Sequence, residues 1–154
     1  MPVESRDPAN DDSLLGTFRE VLKKNLMETE TLLPAQVVSH DRASNRVTVQ
    51  PLIQMVDTDG NRINRAQKTN LPVMLIGGGT FFVSFNLPAG SLGWIFAADR
   101  DLSLFLQEYD IQPPNTLRLH SFEDGVFIPD IMTGYTINSE DEQAAVIQLS
   151  LIHI

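Results

Sequence analysis

From Thr31 onward, apolar residues recur at every second position in short runs. The runs are "PAQVVSHD", "NRVTVQPLIQMVD", "TNLPVMLI", "TFFVSFNL" and "SLGWIFAA", and they are rich in Val, Ile, Thr and Phe. Turn-forming residues separate them at 41 to 45, 57 to 60, 77 to 79 and 88 to 90. A period of two with regular turn signals indicates antiparallel strands, and short strands at this spacing favour a small barrel or sandwich.

The rest of this region contains punctuating prolines, one short helix and one irregular stretch. Pro51 and Pro72 lack a backbone donor, so each is expected at a strand end, a bulge or an edge. The run "DLSLFLQEY" has apolar residues at helical spacing, which predicts a short helix after the fifth strand. The stretch "RLHSFEDGVFIPDI" lacks a clear period, and we predict a loop whose apolar residues Phe122, Phe127 and Ile128 plug the core.

Before the strands, the chain changes from a polar arm to an amphipathic helix. Residues 1 to 12 are rich in Pro, Asp and Asn, a composition that cannot offset the entropy of ordering, and we interpret them as a flexible arm. A helix then follows through about Glu28, with Asp12 or Ser13 as its N-cap. Its apolar stripe consists of Leu14, Leu15, Phe18, Val21, Leu22 and Leu26. This stripe either packs on its own domain or docks on another subunit.

The chain ends in an acidic turn and an apolar strand. The turn is "INSEDEQ", and residues 144 to 154 alternate so that Ile147, Leu149 and Leu151 share one face. A strand of this kind presents an unpaired edge unless a partner covers it.

Charge and composition exclude several classes of function. The 20 acidic residues outnumber the 11 basic ones and give a formal net charge of -9. Such a surface repels phosphate backbones, so a specific nucleic acid is a poor partner. The chain contains no cysteine and only three histidines, none spaced as a pair on one helical face, so we predict neither a metal site nor a cofactor. No signal peptide or membrane-spanning run is evident, and we expect synthesis in the cytoplasm without export.

One charged triplet could carry chemistry. Asp99 and Asp101 flank Arg100, and on an extended strand both carboxylates could reach one point. Acid–base or hard-cation chemistry would need a further group that the sequence does not offer. The simpler interpretation is a strand end, with Asp101 or Ser103 capping the next helix and Arg100 paired to a neighbouring acid. Catalytic residues are therefore not predicted, although a hydrolase using both aspartates stays an alternative.

Two other motifs have plain structural explanations. The three glycines at 77 to 79 precede a strand without a following Lys or Arg, so a hairpin connection is expected rather than a phosphate cradle. Phe81, Phe82 and Phe85 could form a base-stacking platform. Without interleaved basic residues, however, Phe81, Val83 and Phe85 are more simply core. His120, beside Arg118 and Asp124, is expected to be a hydrogen-bonded loop histidine.

Together these segments resemble the N-terminal domain of central spike proteins from contractile-tail phage baseplates, over roughly residues 31 to 131. The similarity is carried by a glycine-containing strand that ends in Asp-Arg-Asp, a short helix, and an Arg-x-His stretch that leads to Asp and Pro. The matching positions are Gly90, Gly93, Phe96, Asp99, Arg100, Asp101, Arg118, His120, Asp124 and Pro129. Ser91 and Asp130 depart from the usual Asp and Gly of this pattern.

This resemblance implies a mechanical protein and not an enzyme. It implies an oligonucleotide/oligosaccharide-binding (OB)-type barrel with an N-terminal helix, a homotrimer, and a C-terminal strand that can begin a trimeric β-stem. The division that follows is a flexible arm and docking helix at 1–29, the barrel at 30–131, and an acidic turn with the C-terminal strand of a short or truncated stem at 132–154. In such a trimer the strands of three copies bury one face on the threefold axis, so we expect Leu149→Asp to abolish trimer formation while the barrel stays folded. The implied location is the virion tail, where the partners are hub and tube proteins and the host outer envelope. Some spike tips of related families bind iron through His-x-His, whereas "LIHI" contains only His153. A free barrel that binds single-stranded nucleic acid or a saccharide stays the alternative.

Overall fold

A computed structural model describes residues 13–57 and 59–147 of the 154-residue chain. The helices are α1 (Leu14–Glu28) and α2 (Phe105–Glu108), and a 3-10 helix covers Ser139–Asp141. The strands are β1 (Leu32–Asp41), β2 (Arg46–Pro51), β3 (Met55–Val56), β4 (Arg62–Ile63), β5 (Lys68–Pro72), β6 (Ile76–Gly78), β7 (Phe81–Val83), β8 (Leu92–Arg100) and β9 (Leu119–Pro129). The predicted mainly β fold is confirmed, and both Pro51 and Pro72 are the last residues of their strands.

Five antiparallel strands form a nearly closed barrel. Their order in the sheet is β5-β2-β1-β8-β9, so β1 lies in the middle and pairs with both β2 and β8. The two outer strands approach each other through a bridge between Val73 and Phe127, where the Met74 N–H donates to the Phe127 carbonyl oxygen at 2.9 Å. Lys68 and Glu123 add an ion pair of 2.7 Å between β5 and β9. This closure agrees with the small OB-type barrel that the sequence indicates.

The core lies inside the barrel and consists mainly of strand residues, to which Val73 and Leu87 are added from the connections. Its buried apolar members are Ala35, Val37, Val47, Val49, Leu71, Val73, Leu87, Ile95, Phe122 and Phe127. In β2 the burial alternates strictly, with Val47 and Val49 inside and their neighbours partly exposed. The two-residue period in the sequence therefore arises because one face of each strand packs against the core.

The stretch that we predicted as a loop is instead the strand β9, so that prediction is wrong. Phe96 pairs with Val126 and Ala98 pairs with Ser121, so four residues of β9, 122 to 125, stand opposite residue 97 alone. This bulge disguises the period of two in the sequence. Phe122 and Phe127 are both buried, as expected of core plugs.

Both ends of the described chain differ in structure from the barrel. Ser13 caps α1, its hydroxyl accepting a hydrogen bond from the Gly16 N–H at 2.9 Å, which confirms one of the two predicted caps. At the other end, the acidic turn contains the 3-10 helix. Residues 144 to 147 are not in a strand, which corrects the start of the predicted C-terminal strand. The rest of that strand, with Leu149, Leu151 and His153, lies outside the described residues.

Two small hairpins, β3–β4 and β6–β7, extend from the barrel. The triple glycine was predicted as the connection of the second hairpin, but Gly77 and Gly78 belong to β6, and the turn begins at Gly79. The prediction that Phe81, Val83 and Phe85 are core residues is wrong, because all three side chains are exposed.

Candidate functional site

The charged triplet lies where β8 leaves the barrel, and its two aspartates have opposite environments. The Asp99 side chain is exposed, and its carboxylate lies 3.6 Å from Arg100 Nε and 3.2 Å from His120 Nε2. The Asp101 side chain is fully buried. His120 is therefore a strand residue paired with Asp99, and not the predicted loop histidine beside Arg118 and Asp124. The predicted pairing of Arg100 with a neighbouring acid is present.

Arg118 links Asp101 to the bulge of β9. Its Nε and Nη2 atoms donate to the two carboxylate oxygens of Asp124, both at 3.0 Å, and Nη2 also lies 3.3 Å from Asp101 Oδ2. Both aspartates are buried, whereas the arginine side chain is 45% exposed. A planar guanidinium matches such a forked arrangement, which a lysine could not reproduce.

We call Arg118, Asp101 and Asp124 the clamp. Its contacts shift the pKa of two members, Asp101 and Arg118. The side chains of Thr116 and Ser103, the Ser103 backbone N–H and the charge of Arg118 together hold the pKa of Asp101 well below its usual range. Hydrogen bonding to Asp124 raises the pKa of Arg118. Both groups are thus held in their charged forms, which suits a permanent ion cluster and not a group that exchanges protons during a reaction.

This geometry corrects the two detailed expectations for the triplet. Asp99 and Asp101 do not reach one point, since one carboxylate faces solvent and the other is buried against Arg118. Asp101 does not cap α2 either, because it accepts from the Ser103 N–H at 2.8 Å, ahead of a helix whose N-cap position is Leu104. The triplet is a structural corner that ends β8 and ties it to β9.

The backbone at the start of β8 requires glycine at two positions of the family pattern, Gly90 and Gly93. Gly90 has φ +95° in the turn before β8, a conformation that other residues rarely adopt. Gly93 pairs with Pro129, and a Cβ at residue 93 would collide with the Phe127 ring and the Ile128 carbonyl oxygen. The pattern therefore describes how β8 and β9 close over the core.

The predicted interface residues of α1 are presented to solvent. Leu14, Phe18, Val21, Leu22 and Leu26 are between 58% and 75% exposed. Gly16 is the buried residue of this helix, so the apolar stripe points away from the rest of the described chain. The sequence allowed the stripe either to pack on its own domain or to dock on another subunit. The structure excludes the first possibility for the described residues, because the stripe does not pack on the barrel.

At the opposite end of the described chain, Ile147 is also exposed. The other two members of the predicted stem interface, Leu149 and Leu151, are outside the described residues.

A comparison with protein families identifies the barrel. The family described as phage protein Gp138 N-terminal domain matches residues 33–130. The chain belongs to this family. The match covers every position of the Asp-Arg-Asp pattern, from Gly90 to Pro129, and confirms the resemblance to a phage baseplate spike N-terminal domain. No curated protein matches the chain.

Family membership makes this a phage protein, of a kind consistent with a structural component of the virion. The matched residues are those of the barrel, whereas α1 and the residues after 130 lie outside the match. The part of this chain that matches the family is therefore the barrel with its charged corner, and α1 lies outside the matched residues.

Within residues 13–57 and 59–147, no three His, Cys, Asp or Glu side chains are grouped so as to hold a metal ion. Over the same residues, no helix combines the length and apolar character needed to cross a bilayer.

Sequence reasoning missed one residue that fixes the approach of α1 to the barrel. The Glu30 carboxylate accepts from the Phe122 N–H at 2.6 Å and pairs with Arg65 at 3.2 Å, and the Glu30 N–H donates to the His120 carbonyl oxygen at 3.0 Å. Its partners are distant in sequence, so no local pattern could have indicated them.

Proposed function

We propose that this protein is a structural component of a phage tail baseplate, where three copies form the central spike or the connector between hub and spike. In this role it joins hub and tube proteins on one side and helps to breach the host envelope during contraction. The proposal follows from the family of the barrel together with the resemblance to central spike proteins. It includes no catalytic activity and no cofactor.

The observation that carries the assembly role is the exposed apolar stripe of α1. A soluble helix normally turns its apolar face to its own core, but here Leu14, Phe18 and Leu22 face solvent. Contiguous apolar surface of this kind marks an interaction site. An amphipathic helix presents anchors at such spacing to a groove on a partner, and in a baseplate that partner is a neighbouring tail subunit.

The charged corner supports a mechanical role. Asp101 and Asp124 are paired with Arg118, and the exposed Asp99 is paired with Arg100 and His120. We therefore propose that the triplet maintains the barrel and takes no part in hydrolysis. The exposed phenylalanines of β7 offer stacking surface, but the 20 acidic residues of the chain outnumber its 11 basic ones, so nucleic acid is not proposed as a ligand.

Light scattering of the full chain at micromolar concentration tests the trimer. We expect a mass of three chains, and a stable monomer would contradict the proposal. A second experiment tests α1 by following incorporation of Phe18→Asp into purified tails. We expect loss of incorporation with an unchanged barrel, whereas the matched variant Lys24→Asp, which places a carboxylate at an exposed position about 120° around the helix from Phe18, is incorporated normally. Normal incorporation of Phe18→Asp would refute docking through the stripe.

A further inference from the structure

The hairpin β6–β7 lies within a long stretch of the chain that carries no charge. From Thr69 to Ala98 the sequence contains no Asp, Glu, Lys, Arg or His, although the chain as a whole has 20 acidic and 11 basic residues. Strands β6 and β7 both fall inside this stretch. A solvated hairpin would normally carry charged side chains, so the composition indicates that this one is removed from water by a partner.

The register shows that the hairpin is apolar on both faces. Ile76 pairs with Val83 and Gly78 pairs with Phe81, so Ile76, Val83 and Phe81 share one face, while Phe82 lies on the other opposite Gly77. Ile76, Phe81 and Phe82 are 69%, 74% and 60% exposed. An isolated two-stranded hairpin is only marginally stable in water. A hairpin with two apolar faces is stabilised most when a partner covers both faces. The hairpin is therefore suited to insertion into a partner and not to lying flat on one.

Gly77 makes the hairpin thin. A Cβ at this residue would collide with the Phe81 carbonyl oxygen and with Phe82, so no side chain can stand beside the Phe82 ring on its own face. Gly79 has φ +61° and forms the tight turn at the tip. The result is a narrow arm with aromatic side chains close to its end.

The same chain contains a cavity beside α2 that is open to solvent. Its volume is about 560 Å³, and its lining combines the apolar residues Phe105, Tyr109, Ile111, Pro113 and Pro114 with charged residues that include Arg100 and Asp110. The rings of Phe105 and Tyr109 meet edge to face at 5.7 Å. Cavities of this size and apolar character are typical of sites that accept aromatic groups.

Within one chain the hairpin and the cavity do not meet. The hairpin side chains Phe81 and Phe82 are exposed, and so are Tyr109 and Ile111 on the cavity side. The base of the hairpin is held at Phe127, which pairs with Ile95, whereas the cavity begins at Arg100, five residues further along β8 and roughly 17 Å away. A β6–β7 hairpin that covers the cavity therefore comes from a second copy.

We propose that in the trimer the β6–β7 hairpin of each copy inserts into the α2 cavity of the next copy. A head-to-tail contact of this type uses one hairpin and one cavity per subunit, so a closed ring leaves neither exposed. The exposed side chains of Ile76, Phe81, Phe82 and Phe85 offer roughly 500 Å² of apolar surface, at about 200 Å² for a whole aromatic side chain. That is more than half of the roughly 800 Å² that each partner contributes to a standard interface. This inference rests on the proposed trimer and specifies one of its contacts.

The absence of cysteine from the chain allows a direct test by disulfide trapping. Two full-length variants of different size tags are coexpressed, one with Thr80→Cys at the hairpin tip and the other with Ile111→Cys at the cavity. Mild oxidation is expected to link a Thr80→Cys chain to an Ile111→Cys chain. The matched control replaces Ile111→Cys with Ala66→Cys, an exposed position away from both surfaces, and no link is expected.

The outcomes separate this contact from the trimer itself. A trimer in which Thr80→Cys forms no link to Ile111→Cys, or links only to another Thr80→Cys chain, overturns the insertion but leaves the proposed function intact. A monomeric wild-type chain overturns both.

A second variant tests the energetics of the same contact. Phe81→Ser combined with Phe82→Ser is expected to raise the concentration needed for half-assembly at least tenfold, while Leu117→Ser, at another exposed apolar position, leaves it unchanged. An equal effect of the two variants would refute a specific role for the hairpin.

Discussion

Replacing Arg118 by Met should lower the free energy of unfolding of the barrel, because Arg118 holds the two buried aspartates Asp101 and Asp124. The change keeps an apolar stem of similar length but removes the three charged contacts to Asp101 and Asp124. Removing one partner of a buried ion pair costs about 3–5 kcal/mol, because the remaining charge stays uncompensated. Since the Arg118 side chain is 45% exposed, water can reach part of the vacated position, and we expect a loss of about 2 kcal/mol at pH 7.

Arg100→Met provides the matched control for this prediction. Arg100 makes the same kind of ion pair, but with the exposed Asp99 at 3.6 Å, and exposed pairs contribute about 0–1 kcal/mol. Urea unfolding followed by fluorescence of Trp94, the single tryptophan and a residue of β8, measures both variants at equal protein concentration. If Arg118→Met costs no more than Arg100→Met, the clamp does not hold the corner together.

The pH dependence gives an independent check. The folded-state pKa of Asp101 is depressed, so its stabilising contribution is present above the ordinary aspartate pKa and is lost as pH falls through the folded value. Without the charge of Arg118, the folded-state pKa of Asp101 is less depressed, so Asp101 contributes less stability to the variant at pH 7 and the variant loses less stability in acid. The difference between wild type and Arg118→Met should therefore shrink as pH falls from 7 to 2. A difference that grows over this range would refute the electrostatic explanation.

Three further changes test the barrel and its helix. Gly93→Ala should lower the free energy of unfolding by about 1–3 kcal/mol because its Cβ meets the Phe127 ring, whereas Gly78→Ala, with open space at its Cβ, should change it by less than about 0.5 kcal/mol in the same urea assay. Phe127→Ala should cost about 3–5 kcal/mol by leaving a cavity in the core, and a calorimetric Tm within a degree or two of wild type would contradict its central position. Deletion of residues 1 to 29 should leave the Tm of the barrel nearly unchanged but prevent the protein from joining tails, and loss of cooperative unfolding would show that α1 belongs to the core.

Local patterns in the sequence predict the barrel strands and the first helix well. Val47 and Val49 alternate with polar residues, and the structure turns this alternation directly into an inner and an outer face. Ser13 stands directly before an apolar period of three and four, and it caps α1 as such a residue should. These features depend on neighbours in sequence, which is why the sequence alone reveals them.

The errors arise where long-range contacts decide. Residues 123 to 125 have the composition of a loop, but they form a bulge within β9. The bulge is held in place because Asp124 pairs with Arg118 and because Phe122 is buried in the core. The phenylalanines of β7 have a strand pattern that resembles a core strand, yet residues of five other strands and Leu87 already fill the barrel. No pattern within a single segment can show that the core is complete without that segment.

The position of β1 in the middle of the sheet has a consequence for the order of folding. β1 can pair with β2 as soon as the chain reaches Pro51, but its second neighbour, β8, begins only at Leu92, and β9 must still follow. Strand pairs that are this distant in sequence form slowly during folding, and a strand is prone to aggregate until it has paired. During synthesis, the half-built sheet must therefore coexist with the uncharged hairpin, which emerges from the ribosome before the strands that complete the barrel.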